Sequence, residues 1–396
     1  MQLEIPKSLR PLVAQARQVG QNLFRPIARK YDTKEHAYPR ELDMLAALLD
    51  GLSEAGVGAA VGARRRVGGV KRGGHENLAA VLATIELCWG DVGLALTIPR
   101  QGLGNAALAA VATPEQRARF GQVWAAMAIT EPEAGSDSAA IRTTARDDGG
   151  SWVIDGEKIF VTAGSRADAI VVWATVDKSL GRAGIKPFIV PAGTRGMELT
   201  RLDKKLGIRA SDTAMLTFRD CRIPKGNLLG SPEIEASGFA GVMETFDNTR
   251  PIVAGMAIGV ARAALELTRA ELAAAGVRAE YEKPLWASSA AEAELYRMEA
   301  ELESARLLTL SAAHLADRGV PNSMQASMAK AKAARVANAI TLRCVELTGD
   351  AGYAERELLE KWARDSKILD IFEGTQQIQL LIVARKILGL RSSELR

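Results

Sequence analysis

Glu373 follows Ile371-Phe372 and precedes Gly374-Thr375, and it is the side chain in this sequence best suited to act as a strong base. Apolar neighbours desolvate a carboxylate and raise its pKa toward what is needed to take a proton from an activated carbon. Gly374 lets the backbone approach a bound molecule closely. The three histidines, His36, His75 and His314, are dispersed and give neither zinc spacing nor a serine–histidine pairing. Acid–base chemistry therefore falls to a carboxylate, a lysine or a tyrosine. A second polar string, Ile129-Thr130-Glu131-Pro132-Glu133-Ala134-Gly135-Ser136-Asp137, offers hydroxyl donors at Thr130 and Ser136 and a glycine that permits a tight turn toward a phosphate. Glu131 and Asp137 would repel a bound anion, so they read as organising the loop through backbone hydrogen bonds. By itself the string also suits a polar surface turn.

Two further strings match known motifs and are set aside. Gly102-x-Gly104-x-x-Ala107 resembles a dinucleotide fingerprint, but Pro99, Arg100 and Gln101 precede it where a buried strand should end. Ser327-x-x-Lys330 falls inside an alanine-rich helical run, and no Lys-Thr-Gly accompanies it, so chance accounts for it.

The elements that must position these residues change character twice along the chain. Residues 1–123 are mostly helical, divided by caps such as Thr113-Pro114-Glu115-Gln116, where a new helix should start. Residues 124–233 read as strands, among them a hairpin of Trp152-Val153-Ile154 and Ile159-Phe160-Val161-Thr162 turning at Asp155-Gly156. Residues 234–396 return to a helical period, with long helices over Ile252–Ala275, Glu292–Ala316, Met324–Leu347 and Gln376–Leu388, the last stopped by Gly389. The expected fold class is α+β multidomain: an N-terminal helical domain, a middle β domain of barrel or sandwich type, and a C-terminal four-helix bundle.

Bulk properties narrow the function classes. The 396 residues are 47% hydrophobic, enough for several packed units. Lys+Arg 51 against Asp+Glu 47 leaves a formal charge of +4, which suits a polyanionic ligand and falls short of a nucleic-acid footprint. Cys88, Cys221 and Cys344 lie far apart and read as reduced thiols of a cytosolic protein. No leader and no segment of about 20 apolar residues is expected, so membrane insertion is not either. The basic run Arg64–Arg72 reads first as a solvated loop and second as a phosphate contact.

The strings Thr130–Asp137 and Ile371-Phe372-Glu373-Gly374-Thr375-Gln376-Gln377-Ile378-Gln379 resemble the signature loops of acyl-CoA dehydrogenases. The resemblance extends in order through Leu206–Thr213, Asp247-Asn248-Thr249-Arg250-Pro251 and Lys361-Trp362-Ala363-Arg364-Asp365. It implies FAD at domain and subunit junctions of a homotetramer, an acyl-CoA substrate taken to a trans-2-enoyl-CoA, and an electron-transfer flavoprotein as acceptor. Fatty-acid β-oxidation is the process this implies. It makes Glu373 the base. Ile129, Thr130, Ser136, Phe160, Thr162, Thr375 and Gln377 become flavin contacts, Thr162 near N5. Phe160 stands where the family usually has tryptophan, and a plain core phenylalanine is the alternative. Ser136, Asp247, Arg250, Gly374 and Arg385 become substrate contacts, with the Glu373 N–H on the thioester carbonyl beside a flavin ribityl hydroxyl. Arg278, Tyr281, Glu346, Gly349 and Asp350 become contacts to the adenosine end.

The sequence departs from the family there. Arg278-x-x-Tyr281-Glu282 and Ser289 replace an Arg-x-x-Phe-Gly…Gln pattern, Glu346-x-x-Gly349-Asp350 replaces Gln…Gly-Gly, and the basic run replaces a Pro…Gly-Gly loop near Gly56. Thr249 occupies the helix position where some members carry their glutamate. Two rivals remain: a relative that passes electrons to oxygen, and a catalytically silent binder of acyl thioesters.

Overall fold

The computed structural model describes residues 5–54, 74–233, 240–390 and 394; the side chains of 48–54, 240–248 and 285 lie outside that description, as do Gly56 and the Arg64–Arg72 run. The N-terminal helices are α1 (Arg10–Val19), α2 (Arg25–Thr33), α3 (Glu41–Glu54), α4 (Glu76–Gly90), α5 (Val92–Ala95), α6 (Leu103–Val111) and α7 (Pro114–Phe120). Helix α7 starts as expected, with a reciprocal capping box between Thr113 and Gln116. Helix α4 is buried almost all round, and an all-apolar helix must find neighbours on every side. It packs against two helices of the C-terminal part, so one apolar core runs through both.

Residues 125–224 form one curled seven-stranded sheet: β1 (Ala125–Ala128), β2 (Thr144–Asp147), β3 (Ser151–Thr162), β4 (Ala169–Thr175), β5 (Ile185–Pro191), β6 (Met197–Leu202) and β7 (Thr213–Pro224). The order runs β1-β4-β2-β3-β7-β6, with β5 on the other edge of β4. One expectation is corrected here. The hairpin turn lies at Asp148-Gly149-Gly150 between β2 and β3, and Asp155-Gly156 lies within a continuous β3. Gly156 marks a register shift against β7, at φ 148°, where a Cβ would come 2.5 Å from Thr143 Oγ1. The polar loop beginning at Thr130 follows β1 and so lies inside the sheet region.

The C-terminal part holds α8 (Ala240–Ala274), α9 (Ala290–Asp317), α10 (Ser323–Thr348), α11 (Asp350–Tyr353), α12 (Leu359–Ser366) and α13 (Gln376–Leu388). The four long helices are α8, α9, α10 and α13, with α10 packed against each of the others. Helix α8 begins before Pro251, which it carries internally, instead of at Ile252. The stretch Thr249–Ala274 is long and apolar enough to cross a membrane, contrary to the sequence reading, but its most apolar 18 residues are 83% buried in the core. Cys88, Cys221 and Cys344 are all free and buried.

Candidate active site

A cleft of about 1800 Å³ opens where the three parts of the chain meet. Its walls include Thr130, Ser136, Phe160 and Thr162 from the sheet region, Thr249 and Arg250 from α8, and Glu373, Gly374, Thr375 and Arg385 around α13. Ile129 also lines it. Arg182, Lys204, Lys205, Arg364, Lys367 and Lys386 add positive charge to the same walls, as a polyanion requires.

The Thr130 loop is held from within. Glu131 accepts hydrogen bonds from the N–H groups of Arg142 (2.6 Å) and Thr143 (2.9 Å) and pairs with Lys158 Nζ (2.7 Å), the organising role expected of it. Burial pushes the Glu131 carboxyl up, but the charge and hydrogen bond of Lys158, with the contacts to 142 and 143, leave it below its ordinary value. Lys158 is itself fully buried, lowered to about 8 by that burial against the pull of Glu131, and it also donates to the Ile129 carbonyl at 3.0 Å. The tight turn closes between Glu131 and Ala134, ahead of Gly135, which keeps open space around its Cα. Phe160 is 61% exposed and has φ 58°, next to an irregularity between Lys158 and Val161. It shares the cleft wall with Thr162 through this bulge, since neighbouring Ile159 lines the wall as well and simple alternation does not hold. A core phenylalanine is thereby excluded.

Glu373 lines the same cleft from the loop before α13. Thr249 Oγ1 donates to its Oε2 at 2.5 Å, joining α8 to the loop before α13. Burial raises the Glu373 carboxyl above its ordinary value; the Thr249 hydroxyl and the charges of Lys330 and Arg250 pull it down without cancelling the shift. Glu373 has φ 53° and Gly374 φ 90°, two left-handed residues in succession. The turn is held by Gln379 Nε2, 3.1 Å from both carbonyls, and by Lys330 Nζ, 2.7 Å from the Gly374 carbonyl. Thr375 caps α13 by accepting from the Ile378 N–H, which leaves its own proton free to donate.

A methyl at Gly374 would meet Gln379 Nε2 at 2.4 Å in a backbone region that only glycine enters cheaply. Gly374→Ala is expected to stay folded, with melting lowered by a few degrees, and to slow flavin reduction about 100-fold, because small displacements of a reacting group cost that much. Stopped-flow reduction at the wild-type rate would show that this turn does not set the geometry.

The expected adenosine-end residues do not line this cleft within one chain. Arg278 and Tyr281 follow the far end of α8, which reaches about 37 Å past Thr249 at a helical rise of 1.5 Å per residue, and Glu346, Gly349 and Asp350 lie at the far end of α10 from Lys330. Tyr281 donates to Glu299 and Glu346 accepts from Arg343. Gln377 is exposed and outside the cleft wall, and the side chain of Asp247 lies outside the described residues. Lys158 and Lys330 were missed by the sequence reading, and the second was dismissed as chance. The available signal was a lysine on the same helical stripe as Ala326, Ala333, Ala337 and Ile340, all buried. Among the described residues no cluster of histidine, cysteine or carboxylates could hold a metal.

Comparison with known proteins agrees along the whole length. Family models for the acyl-CoA dehydrogenase N-terminal, middle and C-terminal domains match residues 7–127, 126–221 and 236–388. The mitochondrial short-chain specific acyl-CoA dehydrogenase of Bos taurus is 37% identical over 98% of this chain and 91% of that protein. The three-dimensional structure of butyryl-CoA dehydrogenase from Megasphaera elsdenii superposes with a TM-score of 0.82 at 31% identity, covering 98% of this chain and 100% of that one. A chain in a structure described as the electron transferring flavoprotein of Acidaminococcus fermentans gives 0.82 at 32% identity, with 98% and 100% covered. With matches over all three parts and a cationic cleft between them walled by Glu373, the chain belongs to the acyl-CoA dehydrogenases, FAD-dependent oxidoreductases that act on acyl-CoA.

Proposed function

We propose that this enzyme converts a short acyl-CoA to the trans-2-enoyl-CoA, with Glu373 as the proton acceptor. The observation that carries this reading is the convergence of Glu373 and Thr249 in the wall of a cleft that also holds Thr130, Ser136, Phe160 and Thr162. Those four residues and Thr375 would hold the flavin portion of FAD, which supplies the acceptor for the hydride leaving Cβ.

What this chain contributes follows from the residues around Glu373. Desolvation makes the Glu373 carboxylate a stronger base than a solvated one, as abstraction from Cα of a thioester demands. Its backbone N–H can donate to the thioester carbonyl and stabilise the negative charge that develops there. The cationic side chains in the cleft walls suit the phosphates of the substrate and the cofactor. Thr84 and Leu87 of α4 and Met256, about 10 Å along α8 from Thr249, line the same cleft, and the short-chain and butyryl names of the relatives support a short acyl group.

The adenosine-end residues lie a helix length from their own cleft, which supports a homotetramer in which they serve the cleft of a neighbouring copy. Buried, unpaired thiols support a reducing compartment such as the cytosol. An electron-transfer flavoprotein is the proposed acceptor, and β-oxidation the proposed process. Anaerobic mixing with a panel of acyl-CoAs tests the whole: four-carbon and similarly short substrates should bleach the flavin fastest. Bleaching by none of them sinks the reading, and rapid reoxidation in air would favour oxygen as acceptor.

A further inference from the structure

We infer that Lys330 is a positioning residue for the proton acceptor: it fixes the turn that carries Glu373 and keeps a buried positive charge within reach of its carboxylate. The inference rests on Glu373 having the role proposed above.

Lys330 is completely buried in α10, among alanines, and its ammonium donates to the Gly374 carbonyl at 2.7 Å. A buried ammonium needs a strong reason to persist, because desolvation costs several kcal/mol unless partners compensate. A single neutral carbonyl is weak compensation. The structure supplies more in the carboxylates of Glu373 and Asp370, both close enough to favour the charged form, while Arg250 opposes it. Burial nevertheless dominates and lowers the ammonium to about 8.

The turn explains what the lysine does. Glu373 and Gly374 are both left-handed, a strained pair that must be held by its surroundings. Gln379 from α13 holds both carbonyls, and Lys330 adds a charged donor to the second one from α10. The groups facing the Glu373 carboxyl are thus Thr249 and Arg250 from α8 and Lys330 from α10, with Asp370 before the loop acting on Lys330. Two cations limit how far burial can raise the base.

The sign follows directly. Removing the Lys330 charge takes away a group that favours the ionised carboxylate, so the Glu373 pKa rises and the alkaline plateau of the rate is reached later.

The test uses the FAD-loaded enzyme and the variants Lys330→Met, Lys330→Gln and Lys330→Arg. Flavin reduction is followed against pH, and the Glu373 carboxyl band is titrated by infrared difference spectroscopy, identified by its loss in Glu373→Gln. Met and Gln should move both midpoints up by about one pH unit. Arg should restore most of the wild-type midpoint. Wild-type midpoints in the Met or Gln variant overturn the inference, and so does an Arg variant shifted as far as Gln. The infrared titration reports on the carboxyl alone, so it stands apart from whether Glu373 takes the substrate proton.

Discussion

Glu373→Gln should keep its FAD, bind acyl-CoA as the wild type does, and reduce its flavin several powers of ten more slowly. Glutamine has the same length and can still accept from Thr249, so the geometry at 2.5 Å survives while the proton acceptor does not. Equal losses in kcat and kcat/KM are expected, since the substitution removes an interaction made with the proton only as it moves. The hydrogen bond to Thr249 allows a stricter test. Two backbone anchors, one on α8 and one in the loop before α13, present their side chains to a single point, so a carboxylate from either could reach the same Cα proton. Glu373→Gly combined with Thr249→Glu should therefore recover part of the rate. The recovery is incomplete, because a carboxylate at 249 lacks the turn held by Lys330 and Gln379. Flavin reduction by Glu373→Gln at near wild-type rate with saturating substrate would remove Glu373 from the mechanism.

Local chemistry was legible where it was strong and self-contained. The Thr113–Gln116 capping box and the bounds of α13, ending before Gly389 at φ 69°, follow from side chains acting on their own helix. Gly102 and Gly104, correctly refused as a dinucleotide fingerprint, open α6, and the second lets that helix press on β1, where a Cβ would come 2.1 Å from the Ala125 carbonyl.

What failed was decided by distant partners. Asp155-Gly156 has the composition of a hairpin turn, but the glycine is needed because Thr143 crosses close to it. Pro251 lies inside α8 because packing on α4 and α10 holds the helix on both sides of the missing N–H. The base and its loop were visible as a string, whereas the lysine beneath them showed only as one charge on an alanine stripe, whose partner at Gly374 lies in the loop before α13. The adenosine-end residues show a third kind of limit, because they sit past the far ends of α8 and α10, outside the walls of their own cleft.

Lys361→Met should destabilise the folded enzyme by about 3–5 kcal/mol, the cost of leaving buried charge without its partner. Lys361 is almost wholly buried in α12, and its ammonium bridges Asp91 and Asp365, both fully buried. Each carboxylate has a second duty. Asp91 caps α5 by accepting from the Leu94 N–H at 2.8 Å, and Asp365 accepts from the Ile208 N–H at 2.6 Å. One ammonium thus ties a helix of the N-terminal part, the cleft-lining loop around Ile208 and the C-terminal helices together. Burial pulls the Lys361 ammonium down, but Asp365 and Asp91 more than offset it, so it sits above the ordinary lysine value. Its contribution is fully present below that ordinary value and is lost only as the pH rises through the folded one, which keeps it constant across neutral pH. In the variant the Asp365 carboxyl, already raised by burial, loses the Lys361 charge that pulls it down, so its folded pKa should move further above the unfolded one. The stability it withholds returns as the pH falls and it protonates, so the gap to wild type should narrow in mild acid. Melting curves against pH measure this, with flavin fluorescence reporting whether FAD escapes as the Ile208 loop loosens. A variant melting with the wild type at neutral pH, or a gap that widens in acid, would show that Lys361 does not compensate this buried pair.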